Sequence, residues 1–185
     1  MRAEVIIFAE HGKQVALTPN GYGGIELPNF ALPDGGRALA DVSEWCRAQL
    51  GIDVFCIFVM PEEENKAAKL DHSVFVCRTL SVSACPLKEP FGWQGVEGPK
   101  VMDSTVEALQ WMYRYNNGEA ASLFARYDWL NQFREWLANN GVDSIDRLEH
   151  HNVAPYFSLM RIQSDGKVYW FKATGLPNHR EYAIS

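Results

Sequence analysis

Apolar and polar positions follow two periods along this chain. Ala3 to Phe8 is a run rich in β-branched residues, which predicts a buried strand. His11-Gly12-Lys13 reads as a turn, and Gln14 to Thr18 as a second strand pairing back. A short strand is expected at Ile25-Glu26-Leu27. From Arg37 to Leu50 the period becomes helical, with Leu39, Val42, Cys46 and Leu50 recurring at steps of three or four before Gly51. Asp53 to Met60 and His72 to Leu80 return to strand, the second buried on both faces. Val106 to Met112 fits a strand or a short helix. Glu119 to Asn139 is helical in pattern: Leu123, Tyr127, Leu130, Phe133 and Leu137 share a face that Phe124, Trp129 and Trp136 widen. Asn139-Asn140-Gly141 stops it, and Val142 to Glu149 predicts a second short helix with Asp143 or Ser144 at its N-cap. Tyr156 to Gln163 and Lys167 to Ala173 read as strands of a hairpin, since Asp165-Gly166 is a strong two-residue turn signal.

The connections carry three candidates for chemistry. The glycines of Pro19 to Gly24 enter a strand, whereas a phosphate cradle enters a helix, so they read as loop punctuation. Glu62-Glu63-Glu64 places three carboxylates in a row, but consecutive side chains diverge, which favours a solvated turn. Ser81 to Lys100 is rich in proline and glycine, and its Phe91 and Trp93 can cap a pocket or a sheet edge.

Composition narrows the class. The 185 residues suit one domain or one domain with a fragment, and a 47% hydrophobic share is enough for a sizeable core. A net charge of -6 with no basic run argues against a nucleic-acid partner. Cys46, Cys56, Cys77 and Cys85 form no CxxC pair, so neither a zinc site nor a redox motif is indicated. Cys56 and Cys77 lie in apolar strand-like runs, as small hydrophobes do. A reduced, cytoplasmic protein is expected, with no signal peptide and no membrane-spanning run. His150-His151 reads as an exposed pair without a third ligand at suitable spacing.

Leu27 to Ile52 reads LPNFALPDGGRALADVSEWCRAQLGI, a strand, loop and helix. It resembles the Nudix box of Nudix pyrophosphohydrolases, G-x5-E-x7-R-E-U-x-E-E-x-G-U, where U is a bulky apolar residue. With the closing glycine set at Gly51, the apolar positions fall on Cys46 and Ile52 and the customary leading Leu-Pro on Leu27-Pro28. The skeleton fits without a gap. The chemistry departs from it: the opening glycine is Phe30, the first glutamate Gly36, the Arg-Glu pair Glu44-Trp45, and the last two glutamates Ala48 and Gln49.

The resemblance implies an α+β fold, a Nudix-like α/β/α sandwich with a mixed sheet, followed here by C-terminal helices and a β-hairpin. In the family those carboxylates hold Mg2+ or Mn2+ against a substrate pyrophosphate. Hard divalent cations need oxygen ligands, which Gly36, Trp45 and Ala48 do not offer. Asp41 and Glu44 remain on the helix, at other positions. Trp45 either fills the former metal site or packs on a neighbouring loop. No catalytic residue, metal ligand or cofactor is assigned; the alternative retains Mg2+ or Mn2+.

The tail KVYWFKATG resembles the opening of an aminoglycoside-phosphotransferase-like, kinase-like domain. That resemblance implies that Lys172 grips nucleotide phosphates and that Glu181 holds the lysine, and it covers about the last 35 residues. No GxGxxG and no catalytic-loop or metal-binding aspartates accompany it, which suggests a piece of a longer protein; otherwise the hairpin extends the first domain. The expected organisation is a Nudix-like domain over 1–117, a helical segment over 118–150 and the hairpin segment over 151–185.

Three functions compete. The first is a catalytically inactive Nudix-like module that senses a nucleotide-like small molecule, or serves as an interaction module, for a C-terminal kinase-like domain. The second is a metal-dependent hydrolase using other carboxylates, such as Glu26, Asp34 or Glu62 to Glu64. The third is a structural domain that self-associates through Phe124, Trp129 and Trp136.

Overall fold

The computed structural model describes residues 2–33, 37–60, 72–81, 84–97, 103–119, 125–154 and 157–174. The chain divides into two compact units, Met1–Trp111 and Met112–Ser185.

The first unit is built on strand β1 (Arg2–Ala9), which is buried from Val5 to Ala9. After a short turn come β2 (Gln14–Pro19), β3 (Ile25–Glu26) and β4 (Asn29–Ala31). Helix α1 (Ala38–Trp45) continues as a wider turn over Cys46–Leu50. Strands β5 (Val54–Val59), β6 (His72–Thr79) and β7 (Gly92–Gly95) complete the sheet. Its order is β3-β2-β1-β6-β5, with β4 also pairing β1 and β7 also pairing β2. Only β1 and β6 run parallel among the described pairs, so the sheet is mixed. A parallel pair at the centre needs cover on both faces. Every residue from Val74 to Thr79 is indeed buried, as expected for β6.

Strand alternation divides the two covers. Glu4, Ile6 and Phe8 share a face with Val74 and Val76. Helix α2 (Asp103–Arg114) lies on that face, where the Ser104 hydroxyl meets the Glu4 carboxylate at 3.4 Å. Cys77 points to the other face, where it meets Cys46 from the end of α1. The fold is therefore α+β with helices on opposite faces of a mixed sheet. Leu39, Val42, Cys46 and Leu50 are all buried, so the helical stripe read in the sequence is the one used.

The second unit holds α3 (Trp129–Asn139) and an antiparallel sheet of β8 (Arg147–Ala154), β9 (Phe157–Ser164) and β10 (Lys167–Thr174). Asp165 and Gly166 both take positive φ, 48° and 73°, which closes the β9–β10 hairpin as the Asp-Gly pair predicts.

One open alternative is decided and three expectations change. Val106 to Met112, a strand or a short helix by pattern, is helix within α2. Of the helix expected over Glu119 to Asn139, the described residues show Trp129–Asn139 as α3, and just before it the Tyr127 amide donates to the Asn116 side chain at 3.0 Å. Leu123 and Phe124 lie outside the described residues. The short helix expected over Val142 to Glu149 is not formed; Arg147 onward is β8, because Leu148 and His150 alternate inward against Ile162 and Met160. Finally, Gly92–Gly95 is a strand inside the expected loop, with Trp93 opposite Ala16.

Candidate functional site

The box stretch begins at β4, passes through residues outside the description and resumes as α1. Arg37, extended at φ -96°, precedes the helix, and its carbonyl accepts from the Asp41 amide at 2.9 Å. The helix ends in a left-handed glycine, Gly51 at φ 76°, as its closing position demands. Lys88 caps this end twice. Its amide donates to the Leu50 carbonyl at 3.0 Å, and its ammonium donates to the Ala48 carbonyl at 2.9 Å. Those carbonyls belong to the last turn, which the helix itself cannot satisfy. Arg47 pairs with Asp53 at 2.7 Å across the same corner.

Capping by Lys88 brings Phe91 to the helix. Trp45 stacks on Phe30, ring centroids 4.8 Å apart and planes within 6°. Phe91 meets Trp45 edge-on at 5.9 Å and 85°. All three rings are half-buried. Phe30 and Trp45, at the positions that the resemblance aligns with the opening glycine and a glutamate of the box, thus pack on each other. Offset stacks and edge contacts are the preferred arrangements of such rings. Of the two options for Trp45, packing on the neighbouring loop is seen directly, through Phe91.

The remaining box positions do not converge. Glu44, Ala48 and Gln49 are exposed, and Gly36 lies outside the described residues. Asp41 is half-buried, with one carboxylate oxygen enclosed. A divalent cation does not fit this donor set, since Trp45, Ala48 and Gln49, the described residues at positions aligned with box glutamates, offer no anionic oxygen. Among the described residues, no group of three or more His, Cys, Asp or Glu side chains is placed to hold a metal ion. Of the alternative carboxylates, Glu26 is half-buried in β3, while Asp34 and Glu62 to Glu64 lie outside the description.

Beneath the helix, three thiols meet. Burial, with the neighbouring Cys56, pushes the Cys46 thiol up to about 12. Burial, a hydrogen bond with Cys56 and the proximity of both other thiols push Cys77 well above the ordinary cysteine value. Cys46 and Cys77 are uncharged core groups at neutral pH.

In the second unit, Lys172 is exposed on β10, and so is Trp170 on the same face. Phe171 points to the opposite face, into the rings of Trp129, Phe133 and Trp136. Glu181 lies outside the described residues. His150 is not exposed: it is buried, with its Nε2 2.8 Å from the Ser158 hydroxyl. His151 is half-buried against Trp170, ring centroids 5.0 Å apart. Glu149 accepts from Arg161 at 3.0 Å and pairs with Arg147 at 2.8 Å.

The Phe30–Trp45 contact is what sequence reasoning missed. Its signal was present: two aromatic departures fall at positions that one strand-loop-helix motif brings together. Phe91 carried the weaker hint of a ring in a loop.

No family model matches the sequence, and no curated protein is similar to it. Solved structures do match. An ADP-ribose pyrophosphatase from Streptococcus suis 89-1591 is 17% identical over 56% of this chain and 79% of that chain, with a TM-score of 0.41. A NUDIX-family hydrolase from Clostridium perfringens is 13% identical over 59% of this chain and 93% of that chain, with a TM-score of 0.41. A UDP-X diphosphatase is 11% identical over 64% of this chain and 63% of that chain, with a TM-score of 0.42. Each is a likeness of fold, and none carries an activity to this chain.

Proposed function

We propose that the first unit is a catalytically inactive Nudix-like module, serving as a ligand-sensing or interaction domain for a phosphotransferase-like domain. The observation that carries this reading is the Phe30–Trp45–Phe91 packing at the box. A working box needs a water-accessible cluster of carboxylates to hold the metal and polarise the pyrophosphate. Here the position aligned with the glutamate before Cys46 carries an indole that stacks on Phe30 and meets Phe91 edge-on. The helix keeps its frame, through Gly51 and the Lys88 cap, without its acid groups.

Lys172 supports the second half of the reading. An exposed lysine beside an exposed tryptophan on one strand face offers an ammonium for phosphate and a ring for a base. With Glu181 as its partner, Lys172 would serve nucleotide binding in the phosphotransferase-like part.

The test is hydrolysis of nucleoside-diphosphate-linked compounds, ADP-ribose and UDP-sugars among them, with Mg2+ or Mn2+, alongside a thermal-shift scan of the same panel. No turnover is expected with either metal, together with a raised unfolding midpoint for one compound. Metal-dependent turnover would overturn the inactive reading and point to carboxylates such as Glu26. Silence in both assays would leave interaction as the module's role.

A further inference from the structure

Cys56 and Cys77 stand directly opposite each other on the antiparallel strands β5 and β6. The kind of pair they form follows from the ladder. The Leu80 amide donates to the Asp53 carbonyl at 3.0 Å, which makes 53 and 80 a hydrogen-bonded pair. Pairs alternate along an antiparallel ladder, so 54 with 79 is non-hydrogen-bonded, 55 with 78 hydrogen-bonded, and 56 with 77 non-hydrogen-bonded. Non-hydrogen-bonded pairs bring their Cα atoms to about 4.5 Å, within the range of about 4.4–6.8 Å that disulfides span.

We propose that Cys56 and Cys77 are a cross-strand dithiol that a hydroperoxide converts to a disulfide, fastening β5 to β6. The reaction begins at Cys56. Its strand is the outer one in the described sheet, and the register slips between Cys56 and Phe58, where a bulge interrupts the ladder. An outer strand broken by a bulge opens more readily than β6, which is held between β1 and β5. In the closed state the Cys56 thiol donates to the Phe58 carbonyl at 3.4 Å, a bond within the bulge that the same opening releases.

The chemistry balances with hydrogen peroxide. The Cys56 thiolate attacks one peroxide oxygen, the O–O bond breaks, and hydroxide leaves with the thiol's proton as water. Cys56 is then a sulfenic acid. The Cys77 sulfur attacks the Cys56 sulfur, the S–O bond breaks, and hydroxide departs with the Cys77 proton as a second water. Two thiols are oxidised by two electrons and one peroxide is reduced to two waters. Cys46 comes from the helix on the sheet face, whereas Cys77 is already the cross-strand neighbour, so Cys77 is the resolving residue.

Peptide mapping tests this on the chain carrying Cys85→Ser, which removes the half-buried thiol outside the cluster. The reduced protein is treated with hydrogen peroxide under native conditions, unfolded, alkylated and mapped by mass spectrometry. One linked peptide pair joining Cys56 to Cys77 is expected, with Cys46 alkylated. The unfolding midpoint should rise by several degrees and fall back with dithiothreitol, because the bond closes a loop in the unfolded chain. Three alkylated thiols after peroxide, a linked pair containing Cys46, or a Cys56 sulfinic acid would each overturn the proposal. With Cys77→Ser in a folded chain, Cys56 should be trapped by dimedone as the sulfenic acid. The mapping itself keeps both cysteines, so it stands if that variant does not fold.

Discussion

Gly51 shows how much of the end of α1 rests on one residue. It sits at φ 76° and ψ 18°, a conformation that costs an L side chain roughly 1–2 kcal/mol. A Cβ there would also meet the Lys88 side chain at 3.2 Å, against the same lysine that caps the helix. Gly51→Ala should therefore destabilise the protein by about 1–2 kcal/mol in urea titrations. An unchanged midpoint would mean that the cap rearranges freely. Glu149 makes a second residue-level case. Burial works to raise its pKa, but the hydrogen bond from Arg161 and the charge of Arg147 outweigh this and hold it below the usual glutamate value. A carboxylate with a depressed folded pKa adds stability above its unfolded pKa of about 4.3, and loses it as pH falls through the folded value. The stability gap between wild type and Glu149→Gln should be constant above about pH 5 and close progressively below pH 4. A gap independent of pH would assign the effect to packing instead of charge.

At the scale of elements, α3 and β10 meet through rings. Phe133 stacks on Trp129 at 5.0 Å and contacts Phe171 at 4.4 Å, and it is almost fully buried. Removing it leaves a cavity lined by large rings that cannot collapse into it. Phe133→Ala should cost about 3–5 kcal/mol. Trp136, half exposed at the rim of the same cluster, should cost distinctly less as Trp136→Ala. Equal losses, measured by chemical denaturation, would show that the rim carries as much packing as the centre. The same ring set explains why α3 was legible: Leu130, Phe133 and Leu137 recur on one face and are all buried. Its start was not legible, because the contact between Tyr127 and Asn116 just before it joins residues eleven apart in sequence. Strand β8 was misread for a related reason. Its inward residues, Leu148 and His150, are too few to separate period two from a short helix, and only pairing with β9 decides.

At the scale of the whole molecule, each unit closes its core by a different route. The first buries a parallel pair between helices, and the second covers one face of an antiparallel sheet with α3. Among the described residues, no helix is long and apolar enough to cross a membrane. The sequence by itself determined the strands β1, β2, β5, β6, β9 and β10, the buried stripe of α1 and the closing Gly51. These features are local: they depend on residue type, on period and on a glycine's freedom at positive φ. Tertiary structure alone decided that Phe30, Trp45 and Phe91 share one packing cluster, that His150 is buried on Ser158, and that Cys56 faces Cys77. Each depends on strand register or on a cap made by Lys88 forty residues from its acceptor, Ala48. Periodicity along a chain shows which face is apolar, but contact between distant segments is fixed only when the backbone hydrogen bonds choose one register over its neighbours.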